Sequence, residues 1–136
     1  MEKIKVKVYW SDKNYSCGWA MPELGAVMAT HATINGIKAE FVTALEEHIS
    51  FLVEDGQDVP QWLIQKDYEI EWDMHISAIL RNAEQYTTMA ALSRVTGINQ
   101  KQLGHYASGI KEPRQAQRER IINGLHEIGR TFLSIG

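Results

Sequence analysis

The chain has 136 residues, 44% apolar and 23% charged, with no low-complexity tract, which predicts one compact domain or two small ones and excludes a large multidomain enzyme. Its single cysteine, Cys17, excludes an internal disulfide framework and fits a reducing, cytoplasmic compartment. The net charge of −3 hides a division: residues 1–86 hold seven Lys/Arg against fourteen Asp/Glu, and residues 87–136 hold seven against three. The halves therefore carry −7 and +4 and suit different partners, a cationic protein and a polyanion.

No apolar run approaches the roughly 18 residues needed to cross a bilayer. Glu2, Lys3, Lys5 and Lys7 stand where a signal peptide would carry an apolar core, so neither membrane nor export is expected. Residues 3–10 alternate those lysines with Ile4, Val6, Val8 and Trp10, a period of two that predicts a half-buried strand with lysines on its outer face. Ser11-Asp12-Lys13-Asn14 is turn-forming, and Tyr15, Cys17, Trp19 and Met21 then alternate as the second strand of a hairpin. Pro22-Glu23-Leu24-Gly25 ends that strand and a third fits 26–32. Thr33 then caps a helix whose stripe is Ile37, Phe41, Ala44, Leu45, His48, Ile49 and Leu52, stopping near Asp55-Gly56.

Trp62 and Leu63 are a hydrophobic anchor after a loop, and Tyr68, Ile70 and Trp72 alternate with Glu69, Glu71 and Asp73 as a fourth strand. From Met74 the period changes to 3.6, so a β-β-β-α-β domain over 1–73 and an all-α domain over 74–136 are expected, an α+β chain overall. Helices are expected around 75–85, 88–96, 99–108 and 114–133.

The most specific stretch runs from Leu92 to Pro113 and reads as a helix-turn-helix. Gly97 supplies the positive φ of the turn, Ile98 plugs the angle, and Leu92, Leu103 and Tyr106 form the small core. Asn99 caps the second helix, which puts Gln100, Lys101, Gln102 and His105 on exposed first turns able to meet base edges in a major groove. Ser108, Lys111 and Arg114 are placed to hold the phosphate backbone, as is Thr88 at the start of the preceding helix. With Asn99 and Tyr106, these are the candidate DNA-binding residues. Gly104, inside a helix, fits close approach to a DNA backbone or tight helix packing.

The run from Leu92 to Pro113, about a sixth of the chain, resembles the Cro/repressor (XRE-type) helix-turn-helix, including its closing Ser108-Gly109-Ile110-Lys111-Glu112-Pro113. Ser93 and Thr96 stand where that family usually has alanine and an apolar residue. Upstream, the hairpin, Pro22-Glu23-Leu24-Gly25, the Thr33-capped helix and the fourth strand are similar to HicB antitoxins. Here Glu23 replaces the usual aspartate of their turn and its second proline is missing.

That resemblance implies a partial RNase H-like first domain that blocks a small basic RNase toxin, HicA. It also implies a second domain that binds the operon's promoter as double-stranded operator DNA. The toxin-facing surface is expected near Pro22, Glu23 and Leu24 and on Glu69 and Glu71.

An RNase H-like nuclease needs carboxylates converging on divalent metals, and Glu69, Glu71 and Asp73 read instead as a solvated strand face. The closest two histidines, His31 and His48, are 17 residues apart, so no helical zinc pair exists. Cys17 reads as a buried thiol, His48 as a helix-edge residue, and Trp10 and Trp19 as core rather than as a base-stacking platform. No catalytic residues, metal or cofactor are expected. The expected function is an antitoxin and autorepressor without catalysis; the alternative is a stand-alone repressor whose first domain senses a ligand or serves assembly. Operator reading by one short helix favours a homodimer or higher oligomer, for which Ile121, Ile122, Leu125, Ile128, Phe132 and Leu133 offer a stripe.

Overall fold

The computed structural model describes residues 1–136 and is of the α+β class. The chain divides into two compact units, Met1–His75 and Ile76–Gly136. In the first, β1 (Glu2–Ser11), β2 (Asn14–Met21) and β3 (Gly25–His31) precede α1 (Ile34–Glu54), the short α2 (Gln61–Ile64) and β4 (Tyr68–Met74). The second holds α3 (Ile76–Ala83), α4 (Met89–Thr96), α5 (Gln100–Ser108) and α6 (Gln115–Leu133). No helix is long and apolar enough to cross a membrane.

The sheet has the order β3-β2-β1-β4. Antiparallel ladders pair β1 with β2 and β2 with β3, whereas β4 runs parallel to β1. A parallel neighbour requires a crossover, and α1 and α2 occupy it. Alternation sends Ile4, Val6 and Val8 of β1, Tyr15, Cys17 and Met21 of β2, and Val27 of β3 to one buried face. Each fully buried isoleucine, valine or methionine among them contributes about 1.5–3 kcal/mol over exposure.

Helix α1 begins where the Thr33 hydroxyl oxygen accepts the Gly36 N–H at 3.0 Å, satisfying one of the unpaired donors of the first turn. Its buried positions are Ile37, Phe41, Leu45, Ile49 and Leu52, the three-and-four spacing of a single apolar stripe. The helix ends as the Asp55 N–H donates to the Phe51 carbonyl at 2.9 Å and Gly56 turns left-handed. Phe41 meets the edge of Trp72 of β4 at 5.7 Å between ring centroids, and the Lys38 ammonium lies over the same indole. Trp10 and Trp19 follow the inward alternation and stay half-buried; Trp10 stands edge-on to the buried Tyr15 at 4.9 Å.

The opposite face of the sheet carries the charges. Lys3, Lys5 and Lys7 of β1 are register partners of Glu69, Glu71 and Asp73 of β4, so a lysine row runs beside an acidic row.

Cys17 is 5% exposed, and burial pushes its thiol from an ordinary 9.0 up to about 11, against a smaller opposing pull from a backbone hydrogen bond at Ala29. At pH 8 the native thiolate fraction is therefore about a hundredfold below that of a free thiol. Maleimide should modify the folded chain at least that much more slowly than the chain unfolded in guanidinium, a comparison mass spectrometry can time. Because the folded value is the raised one, the linked stabilisation is complete below pH 9.0 and is lost as the pH rises toward 11; denaturant midpoints should fall across that interval.

Candidate functional site

The second unit is built around a corner. Thr88 starts α4 by accepting the Ala91 N–H at 3.0 Å, and α4 ends at Gly97, whose φ of 76° is left-handed, a conformation glycine takes without steric cost. Two residues later the Asn99 side-chain oxygen accepts the Gln102 N–H at 2.8 Å and starts α5. Ile98, 3% exposed, fills the angle between the helices. It joins Ile76, Leu80, Leu92, Leu103, Tyr106 and Ile121 in one buried cluster.

These caps fix what α5 presents. Gln100, Lys101 and Ser108 are exposed, and with Gly104 they recur at three-and-four spacing along one side of the helix. Lys111 and Arg114 are exposed in the segment that follows. The Lys111 N–H and the Ser108 hydroxyl both donate to the His105 carbonyl, at 3.3 and 3.2 Å.

Three residues of the expected set have other partners. Tyr106 is only 3% exposed, so it belongs to the core and not to the contact face; its apolar ring won the competition for burial. Gln102 is half-buried and its Nε2 donates to the Tyr106 hydroxyl at 2.9 Å, which orients the amide. The oxygen of Asn99 is engaged as the cap. His105 is half-buried, and its Nδ1 is shielded from solvent with no hydrogen-bond partner. A Cβ added at Gly104 would meet nothing within 4 Å, so helix packing within this chain is not the reason for a glycine there.

In the first unit, Pro22 and Glu23 form the exposed β2–β3 turn, with Glu23 left-handed at φ 65°. Leu24 is half-buried, and its carbonyl accepts from His48 Nε2 on α1 at 2.8 Å. His48 is thus more than a helix-edge residue: it ties that turn to the helix. Glu69 and Glu71 lie on β4. Two strand spacings, about 10 Å, separate β2 from β4, and β1 with its lysines lies between. The structure therefore does not join the turn and the β4 carboxylates into one acidic surface. No three His, Cys, Asp or Glu side chains converge as a metal site would require.

The chain matches no protein-family model, no curated protein and no solved structure.

The geometry of the corner includes a set of residues the sequence reading missed. The hydroxyl of Thr96, 8% exposed, donates to the Leu92 carbonyl at 2.8 Å and accepts the Ile98 N–H at 3.1 Å. A buried hydroxyl therefore takes up two backbone groups at the turn, which explains a threonine where an apolar residue was expected. From α6, Arg120 donates Nη2–H to the Thr96 carbonyl at 2.7 Å and Nη1–H to Gln117 Oε1 at 2.8 Å. A guanidinium at a helix C-terminus meets both the unpaired carbonyls and the negative end of the dipole. Gly124 lets α6 approach: a Cβ there would lie 2.6 Å from the Thr96 methyl. The only sequence signal was Gly124 interrupting an apolar stripe; Arg120 reads like any solvent-facing arginine.

The stripe of α6 divides along its length. Ile121 is fully buried, and Ile122, Leu125 and Ile128 pack against the unit's own core, whereas Phe132 and Leu133 are 64% and 85% exposed.

Replacing Thr96 by valine keeps the volume and removes the hydroxyl, leaving the Ile98 N–H unsatisfied, so Thr96→Val should cost about 1–3 kcal/mol. Thr96→Ser keeps both hydrogen bonds and loses one methyl, about 0.8 kcal/mol. Denaturant unfolding of the two variants checks the order; a valine variant as stable as wild type would remove the hydroxyl's assigned role.

Proposed function

We propose that this chain acts as an antitoxin of the HicB type. Its second unit, a helix-turn-helix formed by α4 and α5, binds operator DNA of its own operon. Its first, a partial RNase H-like domain, binds and neutralises a small basic RNase toxin.

The observation that carries the DNA half is the exposed row of α5, in which Gln100, Lys101 and Ser108 surround a glycine that no internal contact explains. The unit bearing that row holds eight Lys/Arg against four Asp/Glu. Glutamine pairs bidentately with adenine, lysine reaches guanine or phosphate, and a residue without a side chain lets a backbone come close. Lys111 and Arg114 would hold phosphates beside it.

For the first unit, the strand order β3-β2-β1-β4, antiparallel until the crossover and parallel after it, supports the RNase H-like reading. Its six Lys/Arg against thirteen Asp/Glu suit a cationic partner and disfavour nucleic acid. The exposed apolar end of α6, at Phe132 and Leu133, supports self-association into the dimer that two operator half-sites call for.

The deciding experiment expresses the full chain with the protein encoded beside it, purifies through a tag on this chain, and measures both suppression of growth arrest and binding to the promoter. A co-eluting, neutralised partner together with a specific promoter shift is the expected outcome. A promoter shift without a partner would favour the stand-alone repressor instead.

Gln100→Ala should lower specific promoter affinity by about 1–3 kcal/mol and relax sequence preference, whereas Lys111→Ala should weaken all sequences alike and reduce the salt slope by about one. Gly104→Ala has a two-signed signature. It should stabilise α5 by up to about 1 kcal/mol, because the helix gains an alanine in open space, and weaken promoter binding. Fluorescence titration at several salt concentrations, paired with thermal melts, measures both signs; unchanged DNA affinity on a stabilised Gly104→Ala variant would remove close backbone approach as the glycine's role.

A further inference from the structure

The acids of β4 stand beside a lysine row, whereas those of α1 lie away from it. Along α1, Glu46, Ile49, Ser50, Val53 and Glu54 fall on one side of the helix, facing α2 and the start of β4. Between them lies an open groove of about 340 Å3. Ile49, Val53, Leu63 and Ile64 form its apolar walls, with Glu46 and Glu54 among its lining residues. Val53 and Ile64 are 46% and 41% exposed. One cation borders it, Lys66, whose ammonium is 3.6 Å from Glu46 with both side chains well solvated, so the pair contributes little and is easily exchanged. Tyr68 completes the wall; burial and, secondarily, the charge of Glu46 push its phenol upward, so the hydroxyl stays protonated and remains a donor.

An aliphatic floor between carboxylates fits one kind of side chain, an arginine or lysine. Its methylene stem would lie on Val53 and Ile64 while its charge meets one of the two carboxylates, Glu46 or Glu54, at the groove's ends. A neutral apolar segment would leave the carboxylates partly desolvated without a partner, and an anionic one would be repelled. We propose that this groove between α1 and α2 is the surface on which the first unit receives its cationic protein partner, through a basic side chain flanked by aliphatic ones. The inference rests on the antitoxin reading and gives it a location different from the β2–β3 turn and the β4 carboxylates.

The test uses the full chain and the protein encoded beside it. Glu46→Gln with Glu54→Gln preserves shape and removes charge; Val53→Lys blocks the apolar floor at an exposed position and repels a cation; Glu69→Gln with Glu71→Gln is the comparison on the sheet. With wild type retaining its partner, both groove variants should bind about tenfold or more weakly by calorimetry. The sheet variant should stay within about twofold, and promoter binding should be unchanged in all three. Wild-type retention with groove variants that also bind within about twofold would overturn the groove while leaving the antitoxin reading intact. Failure of the wild-type chain to retain any partner would overturn both. Thermal melts guard against misfolding, and the Gln pair decides the matter where Val53→Lys lowers the melting temperature.

Discussion

The parallel pairing of β4 with β1 is the constraint from which the first unit follows. An antiparallel neighbour can be reached by a tight turn, as β2 and β3 are, but a parallel one needs a crossover long enough to return the chain to its starting edge. Here the crossover is α1 and α2, and α1 buries one face of the sheet. The face opposite is left to water, and on β1 and β4 its alternating residues are charged. Because the register sets Lys3 against Glu69, Lys5 against Glu71 and Lys7 against Asp73, that face is mixed in sign. The same crossover leaves α1 with carboxylates away from that row, Glu54 and Glu46, the latter 3.6 Å from the Lys66 ammonium. Where a cationic surface would be attracted is thus a consequence of topology rather than of composition.

The second unit obeys a different constraint, the need to pair every backbone group at a tight corner. Helix ends expose unpaired N–H and C=O groups, and a corner buried beneath a third helix cannot leave them to water. Thr96 resolves two of them with one hydroxyl, Arg120 takes a third from α6, and Asn99 and Thr88 satisfy donors at the helix starts. The bonds at Thr96 fix the turn that leads into α5, the Asn99 cap fixes its first turn, and Leu103 and Tyr106 hold its inner side in the core.

What was legible in the sequence divides along the range of the forces involved. Period-two and period-3.6 patterns, the Thr33 and Asn99 caps and the left-handed Gly97 are local, decided within a turn or a strand, and they appear where the sequence places them. The core role of Ile98 and Leu103 was legible for the same reason. Arg120 meeting the Thr96 carbonyl, or His48 holding the Leu24 carbonyl, joins residues 24 apart, and no spacing rule reaches that far. The charge ladder between β1 and β4 was hidden for a related reason: alternation reveals which residues share a face of one strand, not which strand lies beside it. That is why the acids of β4 read as a free surface when the lysines of β1 are their neighbours.

The candidate face on α5 is marked by what it leaves unresolved. Elsewhere in the unit, local costs are offset inside the chain: the close approach at Gly124 accommodates Thr96, and the threonine hydroxyl replaces the hydrogen bonds the turn would lose. Gly104 lowers helix propensity by about 1 kcal/mol relative to alanine with open space around it. At the next residue on the same helix, His105 Nδ1 forgoes solvent without gaining a partner, a penalty of about 1–3 kcal/mol for a buried polar group left unpaired. Two uncompensated costs on one nine-residue helix are poor design for a purely structural element. Violations of local rules that nothing inside a fold offsets concentrate where an external contact shapes the choice. On the DNA-binding reading proposed for this unit, such a contact would account for the glycine at 104.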